Sequence, residues 1–368
     1  MRLALDLARC AEGRTGPNPP VGALIVVDGV IVGRGFHPRA GEPHAEVFAL
    51  CDAAEQSRGA DVYVTLEPCS HHGRTGPCCD ALIAAGIRRV FIGMSDPNPL
   101  VNGRGVARLR AAGVEVVTGI LEKECRHLIA PFIKHVTSGL PLVILKSAMT
   151  LDGKTATVTG DSQWITNVRS RLHVHEVRNR VDAILVGIGT VLADDPRLTT
   201  RLNEIPAIGM RDPLRVVLDA SLRIPLTAQL LNLDSAASTL ILTTGAAAQD
   251  KVEQLRALSG VEVEILPADD AGQVELLAAL QLLGRRQVQS LLIEGGARIH
   301  QSFLQQRLID RVMVYVAPKL LGGSDGQGLF CGPGPQRLAE ALSLQELRTR
   351  RFDDDILIEA EVASCLPV

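Results

Sequence analysis

Apolar and polar positions change rhythm repeatedly along this chain, and that rhythm predicts an alternation of helices and strands. Residues 2–11 carry apolar side chains at helical spacing and read as a short amphipathic helix, which the Gly- and Pro-containing stretch 13–20 ends. Two apolar runs, 23–27 and 30–33, are joined by Asp28-Gly29, a strong hairpin signal. A helix is expected from 43 to about 56, with Val47, Phe48, Leu50 and Ala54 as its apolar positions. The β-branched and aromatic content of 61–66 predicts a strand that runs directly into Glu67-Pro68-Cys69. A loop at 70–77 leads to a helix from about 78 to 85, closed by Gly86. Strand 89–94, helix 106–112 and strand 114–118 complete an α/β pattern.

A connecting helix is expected over 122–135, and Ser138-Gly139-Leu140-Pro141 breaks it. A second α/β pattern follows. Its expected strands are 142–146, 183–186, 215–218, 240–243, 261–266, 290–293, 311–317 and 355–361, with helical stretches between several of them. The chain has 368 residues, which fits two domains, divided here as 1–138 and 139–368. No fixed-period repeat and no low-complexity tract interrupts them.

Composition narrows the class. Apolar residues make up 46% and charged residues 21%, ordinary values for a globular protein. The formal charge of −3 argues against a dominant nucleic-acid footprint, and 3% aromatics leaves few platforms for stacking bases. The cysteines (10, 51, 69, 78, 79, 125, 331 and 365) show no spacing of a small secreted scaffold, so a reducing cytoplasm is expected. The segment 1–10 is charged at Arg2, Asp6 and Arg9 and lacks a signal-peptide core, and no apolar run approaches the roughly 18 residues of a membrane span.

The chemistry concentrates in the first half. His44 and Glu46 flank Ala45; Pro68-Cys69 follows a strand, and Pro77-Cys78 starts a helix. One imidazole and two thiolates are the nitrogen and sulfur ligands that zinc prefers, with a fourth position open for water. Zinc acidifies such a water, and Glu46 is placed to shuttle its proton. Histidine, glutamate and paired Pro-Cys in this order match the signature of zinc nucleobase deaminases, except that eight residues separate the cysteines instead of two. Any of these residues alone reads as core or surface; jointly they point to a metal. Cys79 competes with Cys78 for the third position, but Cys78 follows the proline and a helix start favours its thiolate. A purely structural zinc would need a fourth ligand from His71, His72 or Cys79.

In the second half the residues say less. Strand 290–293 ends in Glu294-Gly295-Gly296 before a helix at 299–306, and Gly187-Ile188-Gly189-Thr190 ends another strand. Such turns let backbone N–H groups approach a phosphate, yet tight turns without a ligand look the same.

The segment 65–80, from Thr65-Leu66-Glu67-Pro68-Cys69 to Cys78-Cys79-Asp80, followed by Asp96-Pro97-Asn98-Pro99, resembles the RibD family of bifunctional riboflavin biosynthesis enzymes. The second half adds Leu151-Asp152-Gly153-Lys154-Thr155, Ser162-Gln163-Trp164-Ile165-Thr166, the run 189–196 and Glu294-Gly295-Gly296, similar to the family's reductase half. The eight-residue gap is the family's own pattern. The resemblance covers nearly the whole chain, with slightly less than usual before the first helix.

The resemblance implies an α/β protein with an N-terminal cytidine-deaminase-like α/β/α domain and a C-terminal dihydrofolate-reductase-like α/β domain. The first would hydrolyse the 2-amino group of a diamino-ribosylamino-pyrimidinone 5′-phosphate. The second would use NADPH to reduce the ribosyl group to ribityl. His44, Cys69 and Cys78 would hold Zn2+, with Glu46 catalytic. Asn18, His37, His71, Arg74, Asp96 and Asn98 would line the deaminase substrate pocket, the asparagines on base edges and Arg74 and His37 on the phosphate. Cofactor positions fall on Ala148, Trp164, Thr190, Asp194, Gly296, Ala297, Arg298, Ile299, His300, Gln301 and Ser302. Reductase substrate positions are Ser162, Arg178, Leu198, Arg201 and Glu294, with Arg178 and Arg201 suited to a phosphate. Lys146 is added as a polar group at the end of its strand. The expected partners are small pyrimidine ribosyl phosphates, with no nucleic acid and no membrane, and the chain is expected to act as a cytoplasmic homo-oligomer.

Overall fold

The computed structural model describes residues 1–70, 76–98, 101–206 and 208–363. The chain forms two compact units, one spanning Met1–Gly139 and the other beginning at Leu140. Each has its own sheet.

The first unit starts with α1 (Arg2–Arg9), then the hairpin β1 (Gly22–Val27) and β2 (Val30–Phe36). Asp28 and Gly29 both take positive φ, and Val27 faces Val30 across the turn, as the two-residue signal predicts. There follow α2 (Ala45–Ala53), β3 (Asp61–Leu66), α3 (Cys78–Ala84), β4 (Arg89–Met94), α4 (Arg104–Ala111), β5 (Glu115–Val117), α5 (Glu122–Leu128) and α6 (Ala130–Ser138). The sheet order is β2-β1-β3-β4-β5, antiparallel across the hairpin and β1/β3, then parallel.

Strand β2 runs three residues past its expected end. Gly33 and Gly35 lie inside it where α2 crosses the strand. A Cβ on Gly33 would stand 2.2 Å from the Ala49 carbonyl oxygen, and one on Gly35 would stand 2.2 Å from that of Ala45. Helix α2 answers with small residues, Ala45, Ala49 and Ala53, all fully buried. This contact sets where the start of α2 lies. The expected single helix over 122–135 is two helices. Ile129 leaves helical geometry at φ −100°, ψ 17°, and Pro131, which has no N–H to donate, sits in the first turn of α6.

The second unit contains β6 (Leu142–Thr150), β7 (Lys154–Ala156), α7 (Val168–Arg180), β8 (Ala183–Gly187), α8 (Ile188–Asp194), β9 (Leu214–Leu218), β10 (Thr239–Thr243), α9 (Gln249–Arg256), β11 (Val261–Ile265), α10 (Leu276–Arg285), β12 (Ser290–Ile293), α11 (Ala297–Gln305), β13 (Arg311–Ala317), β14 (Gln327–Gly328), β15 (Leu344–Phe352) and β16 (Asp355–Val362). Its nine-stranded sheet has the order β11-β10-β9-β8-β12-β6-β13-β16-β15. Pairing is parallel from β11 to β13 and antiparallel for β13/β16 and β16/β15. In the middle of the sheet both faces are covered. In β8, Ala183 and Leu185 join one apolar cluster while Ile184 and Val186 join another. Strand β6 continues four residues beyond its expected end, so Lys146 sits in mid-strand opposite Met313. Strand β15 was not expected, because its run of charged residues lies exposed at the sheet edge. Among the described residues no helix is long and apolar enough to cross a membrane.

Candidate active sites

In the first unit the carboxyl ends of the parallel strands β3 and β4 and the starts of α2 and α3 converge. His44 is the N-cap of α2, with extended backbone at φ −76°, ψ 165°. Cys69 lies three residues past β3, and Cys78 opens α3. The ligating atoms of His44, Cys69 and Cys78 all lie within 4.8 Å of one another. His44 Nδ1 stands 3.2 Å from Cys78 Sγ and 3.5 Å from Cys69 Sγ. Ligands at ordinary Zn–N and Zn–S lengths in a tetrahedron are about 3.6 Å apart, so the trio fits the ion.

Electrostatics favour a cation here. The thiol of Cys78 hydrogen-bonds Cys69, and His44 adds its own bond, so the Cys69 thiol is held down at about 4. The backbone N–H of Cys78 also donates to Cys69 Sγ at 3.3 Å. The helix start therefore stabilises Cys69, where the sequence pointed to Cys78 itself. Cys78 is pushed up by the same hydrogen bond and by burial. A divalent cation between the sulfurs favours both thiolates. Cys79 is turned away: its Sγ donates to the Pro68 carbonyl at 3.2 Å, and burial pushes its thiol up to about 12. Glu46, in the first turn of α2, is 3% exposed, and its Oε2 is buried with no hydrogen-bond partner. Burial, reinforced by the negative charge of Cys69, raises its carboxyl above the ordinary value. A buried carboxyl of that kind can hold a proton and release it.

Asn18 and His37 join this centre. The ring of His37 stands edge-on to that of His44 at 5.3 Å. Asn18 Nδ2 donates to His37 Nε2 at 3.0 Å, leaving Nδ1–H of His37 to donate to the Pro43 carbonyl at 3.0 Å. Burial lowers the pKa of His37. Both ring nitrogens of His37 are thus engaged within the protein. Asp96 and Asn98 lie just past β4, where Asn98 N–H donates to Asp96 Oδ1 at 2.8 Å. His71, His72 and Arg74 lie outside the described residues. Sequence reasoning missed Glu67. It sits next to the Pro-Cys that drew attention, but nothing local announces that its partners are the distant amides of Asp96, Gly103, Gly105 and Val106.

The second unit places a cavity of about 340 Å3 at the ends of β8 and β12. It is lined by Trp164, Thr190 and Asp194 from the cofactor expectations and by Arg178, Leu198, Arg201 and Glu294 from the substrate expectations. Glu294 follows β12, and its side chain is 7% exposed. Arg178 Nε donates to its Oε1 at 2.7 Å and Nη2 to its Oε2 at 2.8 Å, while Nη1 donates to the Thr199 carbonyl at 3.1 Å. Lys146 Nζ lies 3.5 Å from Glu294 Oε2. Burial opposes ionisation of Glu294, but Arg178 and Lys146 outweigh it and hold the carboxyl at about 2. Two nitrogens of the Arg178 guanidinium, Nε and Nη2, thus face Glu294. Arg201 is exposed at the cavity; its pKa is lowered by burial and by the neighbouring Arg178 and Arg197.

Thr190 Oγ1 closes over the Gly295-Gly296 turn, 3.5 and 3.4 Å from where Cβ atoms there would stand. Gly295 has φ 135°, open to glycine alone. Gly296 is the N-cap of α11, which carries Ala297, Arg298, Ile299, His300, Gln301 and Ser302. Burial, with Lys146 nearby, holds His300 at about 4 and therefore neutral, and Gln301 Nε2 donates to the Pro333 carbonyl at 2.9 Å. Ala148 lies half-buried on β6, opposite Tyr315. Ser162 is half-buried just before Trp164. Trp164 is 61% exposed, with the Arg171 guanidinium over its ring at 4.5 Å. Leu198 is buried at φ 53°, an uncommon backbone for leucine, on the loop that follows α8. Gln229, which no sequence signal marked, clasps that loop: its N–H donates to Asp195 Oδ1 at 2.8 Å and its Nε2 to the Asp195 carbonyl at 3.0 Å.

Comparison with known proteins agrees with both halves. The cytidine and deoxycytidylate deaminase zinc-binding region matches residues 1–94, and the RibD C-terminal domain matches 141–358. Riboflavin biosynthesis protein RibD of Aquifex aeolicus is 43% identical over 359 residues, covering 97% of this chain and 96% of its own. RibD of Acinetobacter baumannii superposes with a TM-score of 0.85 at 39% identity, over 99% of this chain and 98% of its own. A Thermotoga maritima structure, described as a diaminohydroxyphosphoribosylaminopyrimidine deaminase/5-amino-6-(5-phosphoribosylamino)uracil reductase, superposes at 0.83 with 38% identity, over 99% and 97%.

Proposed function

This chain belongs to the RibD family of riboflavin biosynthesis, and from that membership we propose the residues that carry its two activities. The protein is a bifunctional enzyme. It deaminates 2,5-diamino-6-ribosylamino-4(3H)-pyrimidinone 5′-phosphate and then reduces the ribosyl group, giving 5-amino-6-ribitylaminouracil 5′-phosphate. Its cofactors are zinc and NADPH. The deaminase is assigned to 1–138 and the reductase to 139–368.

In the deaminase, His44, Cys69 and Cys78 would hold Zn2+, which would supply the acidification of a water. Glu46 takes a proton from the attacking water and delivers it to the departing amine, a role supported by its buried, unpartnered Oε2. Asn18, Asp96 and Asn98 contact the pyrimidine, with His37 fixing Asn18 through Nε2. His71 and Arg74 remain proposed substrate contacts on sequence grounds.

In the reductase, NADPH supplies the hydride. The turn at Gly295-Gly296, the first turns of α11, Ala148, Trp164, Thr190 and Asp194 are assigned to the cofactor. Ser162, Leu198, Arg201 and the Lys146–Glu294–Arg178 cluster are assigned to the substrate, with Arg201 the phosphate ligand. Arg178 and Lys146 keep Glu294 ionised, so this carboxylate accepts hydrogen bonds from ribosyl hydroxyls. The enzyme is assigned to the cytoplasm, acts on small molecules rather than nucleic acid, and works as a homo-oligomer.

The observation that carries this reading is the convergence of His44, Cys69 and Cys78 around one point beside Glu46. A coupled assay on the diamino substrate, following ammonia and NADPH separately, tests it. Glu46→Gln is expected to keep zinc, abolish ammonia release and still oxidise NADPH with the deaminated substrate. Unchanged ammonia release removes Glu46 from the mechanism.

A further inference from the structure

We propose that Glu67 is a positioning residue of the deaminase: its buried carboxylate sets the 96–98 turn beside the metal ligands so that the turn can hold substrate. This deepens the reading above and rests on it for the role of Asp96 and Asn98.

The geometry starts from the sheet. Strands β3 and β4 are parallel neighbours, with Leu66 paired to Met94, so the chain leaves both at the same edge. One exit leads through Glu67 and Pro68 to Cys69, the other to Asp96 and Asn98. In open α/β sheets ligands bind outside the carboxyl ends of strands, where these two exits lie. Glu67 ties them together. Its own N–H donates to the Met94 carbonyl at 2.9 Å. Its Oε2 accepts from the N–H of Asp96 at 3.2 Å and of Gly103 at 3.0 Å. Its Oε1 accepts from Gly105 at 2.9 Å and Val106 at 3.1 Å.

The side chain is 3% exposed and meets four backbone donors from two segments. A carboxylate is the side chain suited to this place, because it offers acceptors only on both oxygens. Helix α4 comes close enough for this because its second residue is glycine. A Cβ on Gly105 would stand 2.1 Å from the Pro68 carbonyl oxygen and 3.1 Å from Glu67 Oε1. The same carboxylate thus fixes the turn that follows β4 and the start of α4, two residues before a zinc ligand. None of these four hydrogen bonds is to His44, Cys69 or Cys78, so its loss should loosen the turn without releasing the metal.

Glu67→Gln is the test, because the amide keeps the shape but turns an NH2 toward one pair of backbone donors. The expected result is a deaminase KM raised about tenfold or more with kcat changed far less, full zinc content, and unchanged reductase activity on the deaminated substrate. Glu67→Asp, which keeps an acceptor-only group, is expected to recover part of the loss. Asn98→Ala, measured in parallel, reports on the turn itself and is expected to raise KM. If Asn98→Ala raises KM and Glu67→Gln does not, the proposal is overturned while the turn keeps its role. If neither changes KM, the assignment of the turn to substrate fails as well. Loss of zinc, or of reductase activity, in Glu67→Gln also overturns it, since Glu67 would then support the fold at large.

Discussion

Arg178 and Glu294, 116 positions apart in sequence, meet through two parallel hydrogen bonds of 2.7 and 2.8 Å at the wall of the reductase cavity. A buried ion pair of this kind gives little net stability over a well-packed apolar pair, but removing one partner strands the other charge. Glu294 has its pKa lowered from 4.5 to about 2, against burial, by Arg178 and Lys146. Since the folded value lies below the unfolded one, the stabilisation is complete above the unfolded pKa and is lost as pH falls through the folded one. Glu294→Gln is therefore expected to destabilise the protein by on the order of 3 kcal/mol at neutral pH, with the deficit shrinking toward pH 2. Calorimetry of both proteins across that range checks it; a deficit independent of pH would show that the charge of Glu294 is not what matters.

The two adjacent cysteines should separate cleanly. Cys78 Sγ lies 3.2 Å from His44 Nδ1, whereas Cys79 Sγ donates to the carbonyls of Pro68 and Gly105 at 3.2 and 3.6 Å. A serine hydroxyl can replace the thiol as a donor to a carbonyl, but it is a poor zinc ligand. Cys79→Ser is expected to retain roughly one zinc per chain, and Cys78→Ser to lose most of it. Metal analysis of the purified variants decides, and the reverse outcome exchanges their roles.

How far the sequence was legible follows from the range of the interactions involved. The Asp28-Gly29 turn, the strands 61–66 and 89–94, and the His44-Ala45-Glu46 trio at a helix start are local signals, and the structure shows them where the pattern put them. Strand β15 was hidden because its side chains face solvent and its stability comes from pairing with β16, which no alternation of apolar residues reports. The partner of Arg178 was hidden for a related reason: a lone arginine in a helix looks the same whether it awaits a phosphate or holds a distant carboxylate. Lys146 was misplaced within its strand because Ser147 and Thr150 interrupt the apolar run, although the backbone ladder to β13 continues through both. The metal-ligating motif was readable as a set; Glu67, which ties the segment after β4 to the start of α4, acts through backbone amides that carry no sequence identity.

The position of Glu46 and His44 depends on two glycines of β2, Gly33 and Gly35, that carry no chemistry of their own. Helix α2 lies directly on β2, and a Cβ on Gly35 would stand 2.2 Å from the Ala45 carbonyl oxygen, 2.5 Å from the Ala49 backbone nitrogen and 2.8 Å from the Phe48 Cβ. Two of these neighbours are backbone, so relief requires the helix to move, and the first residues to shift with it are Ala45 and Glu46. Gly35→Ala is expected to cost about 1–3 kcal/mol through overpacking. A displacement near 1 Å at a catalytic group lowers turnover by as much as about a hundredfold, so the deaminase should fall steeply in kcat. The reductase lies in a unit with its own sheet and should be unaffected, which makes it the internal control for folding. Equal losses of both activities would mean that the substitution unfolds the chain, and full retention of deaminase activity would mean that the contact between α2 and β2 does not hold Glu46 in place.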